Sequence, residues 1–299
     1  MKNIYFLLLF CTLVLNACNA PAVTQPSAIT STLTPINIVT PTLSVETTQT
    51  PKLLNFSPVI YGQNFGSGTF LLLGGVQDGA WLGPDTVAAQ IQDGMVFDIY
   101  STDSRLQMIG HVSGPDPICD TYFVDADENI SVSGMIGVAQ GWDVTQRKME
   151  ELSSDNDFYR QVVMDWLIEQ GISNPIVENL HVSRVDIEGD GVDEVFLSAS
   201  HFNDGSGHMS EYGDYTVILM RKVNGDDAVT LDLVREIHSS QEPEMTFPIK
   251  YSLTDFIDLD QDGNLEVIIE INRWEGFGVA VYQINGSDRV QVLQVFCGE

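Results

Sequence analysis

The chain has 299 residues, with 42 Asp and Glu against 13 Lys and Arg, for a formal net charge of -29 at pH 7. Such an acidic excess repels phosphate backbones and anionic lipid, which excludes nucleic acid and direct membrane-surface binding and leaves divalent cations as natural partners. With 43% hydrophobic residues there is still ample apolar material for a folded core.

The first element is MKNIYFLLLFCTLVLNACNA, where Lys2 precedes an apolar stretch from Ile4 to Leu15. That stretch is too short to cross a bilayer as a permanent helix and has the layout of a secretory signal. It ends Leu15-Asn16-Ala17-Cys18, which resembles a bacterial lipobox, although Asn16 is unusual there. Residues 1–18 are therefore expected to be a lipoprotein signal peptide with Cys18 as the lipidation site; ordinary cleavage after Ala17 or Ala20 is the alternative. An acylated terminus anchors a protein without making it span the membrane. Residues 19–52 are rich in Ser, Thr and Pro, with Glu46 the only charge between Asn19 and Pro51. They read as a disordered tether, which at about 3.1 Å per residue reaches roughly 100 Å. Export to the cell-envelope surface or the periplasm, on a lipid anchor, is the expected localisation.

Residues 53–151 read as a β-rich region, with strand-like runs GTFLLLGGV, MVFDIYS, LQMIGHV, TYFVDAD and ISVSGMIGVA. Asp125, Asp127 and Asn129 look like an acidic loop that has lost its glycine to Ile130. Once Cys11 leaves with the signal and Cys18 is acylated, Cys119 and Cys297 remain as a possible disulfide, an exported compartment being permissive. Two separately buried thiols are the alternative.

Residues 152–299 start with SSDNDFYRQVVMDWLIEQG, an amphipathic helix with Phe158, Val162 and Trp166 on one face, Val163 and Leu167 beside them, Ser154 as N-cap and Gly171 as the stop. Two stretches with the same order of elements follow: apolar strand, acidic loop, β-branched strand, loop, strand, Asn-Gly turn, strand. The turns are expected at Asn224-Gly225 and Asn285-Gly286, a pair whose residues both tolerate positive φ. In the first acidic loop Asp186, Glu188, Asp190 and Glu194 fall at positions one, three, five and nine, with Gly191 at six and the Val192 carbonyl at seven. In the second, Asp258, Asp260, Asp262, Gly263, the Asn264 carbonyl and Glu266 fill the same positions. Alternate oxygens of a tight loop suit a hard cation such as calcium, which takes six to eight of them. An EF-hand is excluded because its twelfth position needs glutamate and its flanks need helices; Leu197 and Ile269 stand there instead, in strand-like runs.

These loops, with the hairpin downstream of each, resemble FG-GAP/VCBS repeats of integrin-alpha-type β-propellers, over roughly residues 177–296. More broadly the layout resembles uncharacterised bacterial surface lipoproteins carrying such repeats. The resemblance implies a mainly β fold with two propeller-blade-like calcium repeats at the C-terminus, and structural Ca2+ held by the two sets of residues just named. Glu188 departs from the usual Asp or Asn, which makes the second loop the cleaner site. Extracellular sites of this kind bind calcium at about 0.1–1 mM.

No G-x-S-x-G elbow, H-E-x-x-H, phosphate-binding glycine loop or reactive-cysteine signature occurs in the sequence. His201, Asp204, His208, Glu211 and Asp214, in a segment peculiar to the first copy, read as a solvated polar loop rather than a transition-metal site. Trp81, Trp142 and Trp274 read first as core residues and second as sugar-stacking platforms. The expected function is therefore a lipid-anchored, calcium-binding recognition module for an extracellular protein or glycan, and not an enzyme. An enzyme or accessory module acting on extracellular polysaccharide is the first alternative, and a structural envelope component the second.

Overall fold

A computed structural model describes residues 55–62, 68–101, 104–203, 209–224, 227–241 and 246–298. The signal, the tether, Cys18, Asp204 and His208 lie outside the described residues, as does Gly225 of the first Asn-Gly turn.

Seven strands form the N-terminal sheet: β1 (Phe56–Gly62), β2 (Thr69–Gln77), β3 (Ala80–Leu82), β4 (Met95–Tyr100), β5 (Arg105–Ser113), β6 (Phe123–Ala126) and β7 (Ile136–Ala139). Their order is β1-β7-β4-β5-β6-β2-β3, and β1 also pairs with β2, so six of them close into a barrel with β3 attached to β2. A short helix, α1 (Pro84–Ala88), inserts buried Val87 beside this barrel. The sequence reading located most of these strands but not β1, β3 or α1. Closure explains why β1 and β2 are apolar without alternation. Ile60, Phe70 and Leu72 pack together in one cluster, while Val59, Tyr61, Leu71 and Leu73 turn the other way into a second.

The chain then forms β8 (Glu150–Leu152) and α2 (Asp157–Glu169). The N-cap of α2 is Asn156, whose side chain accepts from the Phe158 amide, two residues later than the sequence suggests. Val163 and Leu167 are the buried residues of the helix, Val162 and Trp166 are partly buried against the same cluster, and Phe158, expected on the packed face, is exposed.

Two antiparallel meanders follow. The first comprises β9 (Asn179–Val185), β10 (Glu194–His201), β11 (Tyr215–Asn224) and β12 (Asp227–Ile237), with β8 added at the β9 edge. The second comprises β13 (Lys250–Ile257), β14 (Glu266–Arg273), β15 (Gly276–Asn285) and β16 (Asp288–Gly298). In its last hairpin Asn285 pairs with Asp288, so the turn residues are Gly286 and Ser287, one place beyond the expected pair. Gly286 supplies the positive φ, 64°.

The four-stranded sheet is covered on both faces. Ile268, Val279 and Val281 pack on the outer wall of the barrel, while Val267, Ile269 and Ile284 pack on Phe196, Ile218 and Met220 of the five-stranded sheet. The far side of that sheet, with Leu197, Val217 and Leu219, receives α2 through Val163 and Leu167. The order of layers is barrel, four-stranded sheet, five-stranded sheet, helix, which gives buried strands such as VIIEI no polar face to show. Two links tie the barrel to the C-terminal sheet: Tyr61 Oη donates to Glu270 at 3.0 Å, and a disulfide joins Cys119 to Cys297 across 178 residues. Among the described residues no helix is long and apolar enough to cross a membrane.

Candidate metal centre

Each acidic loop connects the first two strands of its meander, β9 to β10 and β13 to β14. Their internal wiring is the same except at position five, whose amide donates to Asp186 in the first loop and to Asp260 in the second. The carboxylate at position one accepts the amides at positions four and six: Asp186 from Gly189 and Gly191, Asp258 from Gln261 and Gly263. Both residues that must turn have positive φ, 73° and 87° in the first loop and 67° and 92° in the second. The glutamate at position nine accepts the amide at position two, Glu194 from Ile187 and Glu266 from Leu259. The apolar side chains at position two, Ile187 and Leu259, are buried and pin the loops to the core.

The loops also touch one another. Leu265 N donates to Ile187 O at 2.8 Å, and the segment between β7 and β8 runs across both. Asp258 N donates to Thr145 O, and Trp142 Nε1 donates to Leu259 O. Arg147 spans the pair, with Nη1 donating to Asp186 O and Ile187 O at 3.0 and 2.8 Å and Nη2 donating to Gly263 O at 2.5 Å. Barrel, five-stranded sheet and four-stranded sheet therefore meet at this one point.

The carboxylates are arranged differently in the two loops. In the second, oxygens of Asp258, Asp260 and Asp262 lie within 4.8 Å of one another, and among the described residues this is the one convergent group of acidic or metal-ligating side chains. Asp260 and Asp262 are further joined by Gln283 of β15, whose amide donates to both at 3.0 and 3.3 Å. Asn264 donates to Asp262 through backbone and side chain. Glu266 is wholly buried, and its Oε1 has no hydrogen-bond partner. Burial first, then the neighbouring aspartates, push its carboxyl up to about 9. Burial and like charge also raise Asp258 and Asp260. Such a set favours either protonation or a cation.

In the first loop Glu188 is drawn to Lys222 of β11, whose ammonium also lies 3.9 Å from Glu194 Oε1. Asp186 is buried enough to be pushed up, yet bonds from Gly191, Gly189 and Asp190 and the nearby Arg147 charge bring its carboxyl below the ordinary range. Asp190 accepts the Val192 amide, and Val192 itself is exposed.

The remaining candidates are engaged elsewhere. Asp125 accepts from Thr69 and Ser113, and Asp127 contacts His111, so the glycine-less loop is tied up in cross-strand bonds. Asp214 accepts from Asn203 and from the Glu211 amide, and His201 lies 3.6 Å from Glu178. Trp142 is a core residue, and Trp81 packs at the edge of the same core. Trp274 is half exposed and stacks on Phe247 at 6.0 Å.

Sequence reading missed Arg147, Lys222 and Gln283. Each reaches the loops from a distant part of the chain, and none belongs to the acidic pattern. Comparison with protein-family models, with curated proteins and with solved structures gives no match for this chain.

Proposed function

We propose that the chain is an exported, lipid-anchored recognition module stabilised by a divalent cation, calcium, at the second acidic loop. The carrying observation is the convergence of Asp258, Asp260 and Asp262 beside a buried Glu266 whose Oε1 lacks a partner. Hard carboxylate oxygens suit calcium, and a cation would offset the burial that now raises these groups. The position supports a structural role, because the loop lies where the barrel and both sheets are joined through Thr145, Trp142 and Arg147. With calcium bound, Asp258, Asp260, Asp262 and Glu266 would supply negative oxygens, while Gln283 can turn its amide oxygen inward. The blade-like reading of the two meanders rests on their shared strand order and loop position.

Calorimetry with added calcium tests this. Heat of binding and a raised melting temperature are expected in the intact protein, and both are expected to vanish in Asp260→Ala with Asp262→Ala. No heat and no shift in the intact protein would end the calcium reading. The anchor is tested separately by mass analysis of the processed N-terminus, where Cys18→Ala abolishes acylation.

A polysaccharide partner is favoured over a protein one by the exposed Phe247–Trp274 stack. It lines a 350 Å³ cavity with Glu236, Arg273 and Glu275. Aromatic faces suit sugar C–H groups, and flanking charged side chains suit hydroxyls. A glycan array with wild type and Trp274→Ala distinguishes the two, since sugar binding that survives the substitution argues against this cavity.

A further inference from the structure

We propose that Lys222 is the resident cation of the first acidic loop, so that this loop is closed without metal and the protein takes a single divalent ion. The inference rests on the calcium reading of the second loop only for the total count.

The strand register makes the comparison direct. Val195 of β10 pairs with Arg221 of β11, and Val267 of β14 pairs with Tyr282 of β15. One place further along, Lys222 comes level with Glu194 and Gln283 with Glu266. Lys222 and Gln283 are thus the same position in two meanders, each reaching into its own acidic loop. Lys222 contacts Glu188 and lies 3.9 Å from Glu194, the wholly enclosed glutamate of that loop. Gln283 bonds Asp260 and Asp262 with a neutral amide and leaves Glu266 Oε1 unpartnered.

The chemistry of the two side chains differs in the required sense. An ammonium offers three donors, no acceptor and a full positive charge, so it satisfies carboxylates and repels a second cation. An amide has no charge, and turned over it presents an oxygen to a metal. The longer arm of Glu188, where the second loop has Asp260, fits the same assignment: it reaches out to the lysine instead of converging with Asp186 and Asp190. Nor is the pairing a loose surface contact, since Lys222 and Glu188 are each 23% exposed and the Glu194 side chain 1%.

Bound calcium is counted by equilibrium dialysis at about 10 mM free ion, well above the range for extracellular sites. The proteins are the intact protein, Lys222→Gln, Lys222→Arg, Asp260→Asn with Asp262→Asn, and that double variant carrying Lys222→Gln. The expected counts are one, two, one, none and one. Two ions in the intact protein, with one persisting in the double variant, would overturn the inference. A folded Lys222→Gln that gains no ion in either background would overturn it as well. None in the intact protein but one in Lys222→Gln supports the lysine and removes only the second-loop reading. Should Lys222→Gln fail to fold, the double variant still decides: one ion retained beside native Lys222 contradicts the inference, and none supports it.

Discussion

The two acidic loops share a backbone and differ in their surroundings. Positions one, two, four, six and nine make the same hydrogen bonds in both, so the local pattern alone builds the same turn twice. The difference lies one strand away, where a lysine faces one loop and a glutamine the other. An acidic loop therefore specifies a hollow, and the neighbouring strand decides what neutralises it. Burial sharpens the contrast, because the second loop has two buried carboxylates, Asp258 and Glu266, where the first has Glu194 alone.

The largest expected effect comes from removing what the loops have in common. Arg147 bonds carbonyls of Asp186 and Ile187 on one side and Gly263 on the other. Hydrogen bonds to a charged group contribute about 1.5–3 kcal/mol each and are not additive, so Arg147→Ala should cost roughly 3–4 kcal/mol of stability. Urea denaturation measures it. A loss under about 1 kcal/mol would mean that the loops hold together through Leu265 and Thr145 without the arginine.

A smaller effect separates the loops by charge. The Glu266 carboxyl is pushed up to about 9 from an ordinary value near 4.5, so without metal the folded state holds its proton across that interval while the unfolded chain releases it. Stability of the calcium-free protein should thus be fully present near pH 4.5 and fall as the pH rises towards 9. Glu266→Gln should lessen this fall, leaving the share that Asp258 and Asp260 contribute. It should raise calcium-free stability at pH 8 by on the order of 2 kcal/mol or more, because the wild type must take up a proton there in order to fold. In calcium the ranking should reverse, since the variant gives up a ligand charge. Glu194→Gln should bring a smaller gain, because burial raises the Glu194 carboxyl too while the Ile187 amide and the Lys222 charge oppose the rise. Melting curves at pH 5 and pH 8, with calcium and with chelator, test both glutamates; equal slopes for wild type and Glu266→Gln in chelator would contradict the assignment.

These expectations show where the sequence was informative. Ligand spacing, the turn glycines and the strands on either side of each loop follow from local rules, and the structure has strands there. The acidic pattern pointed to both loops and marked the second as the cleaner on Glu188 alone. That only the second has converging oxygens was not legible, because Lys222 lies 28 residues beyond Glu194 and its facing depends on register. Barrel closure was hidden for a similar reason. The β1 run FSPVIYG contains Pro58 and no alternation, and pairing β1 with both β2 and β7 is a long-range fact. The segment from Trp142 to Arg147 has no periodicity at all, although it stitches three sheets together.

The smallest effect tests whether the shared turn is equally relaxed in both copies. Position four is Gly189 in the first loop and Gln261 in the second, with φ of 73° and 67°. A side chain in this left-handed region costs roughly 1–2 kcal/mol, which glycine avoids. At Gly189 the restriction is doubled, because an added Cβ would stand 2.5 Å from Arg147 Nη2. Gly189→Ala should therefore destabilise by at least about 1 kcal/mol and loosen the arginine from the first loop. At Gln261 the substitution runs the other way: Gln261→Gly relieves the backbone but enlarges the unfolded ensemble, and the two nearly cancel, leaving a change within about 0.5 kcal/mol. Paired denaturation curves read both. A marked gain from Gln261→Gly would reveal strain stored in the second loop before any ion arrives, whereas a marked loss would show that the Gln261 side chain contributes to holding the aspartates together.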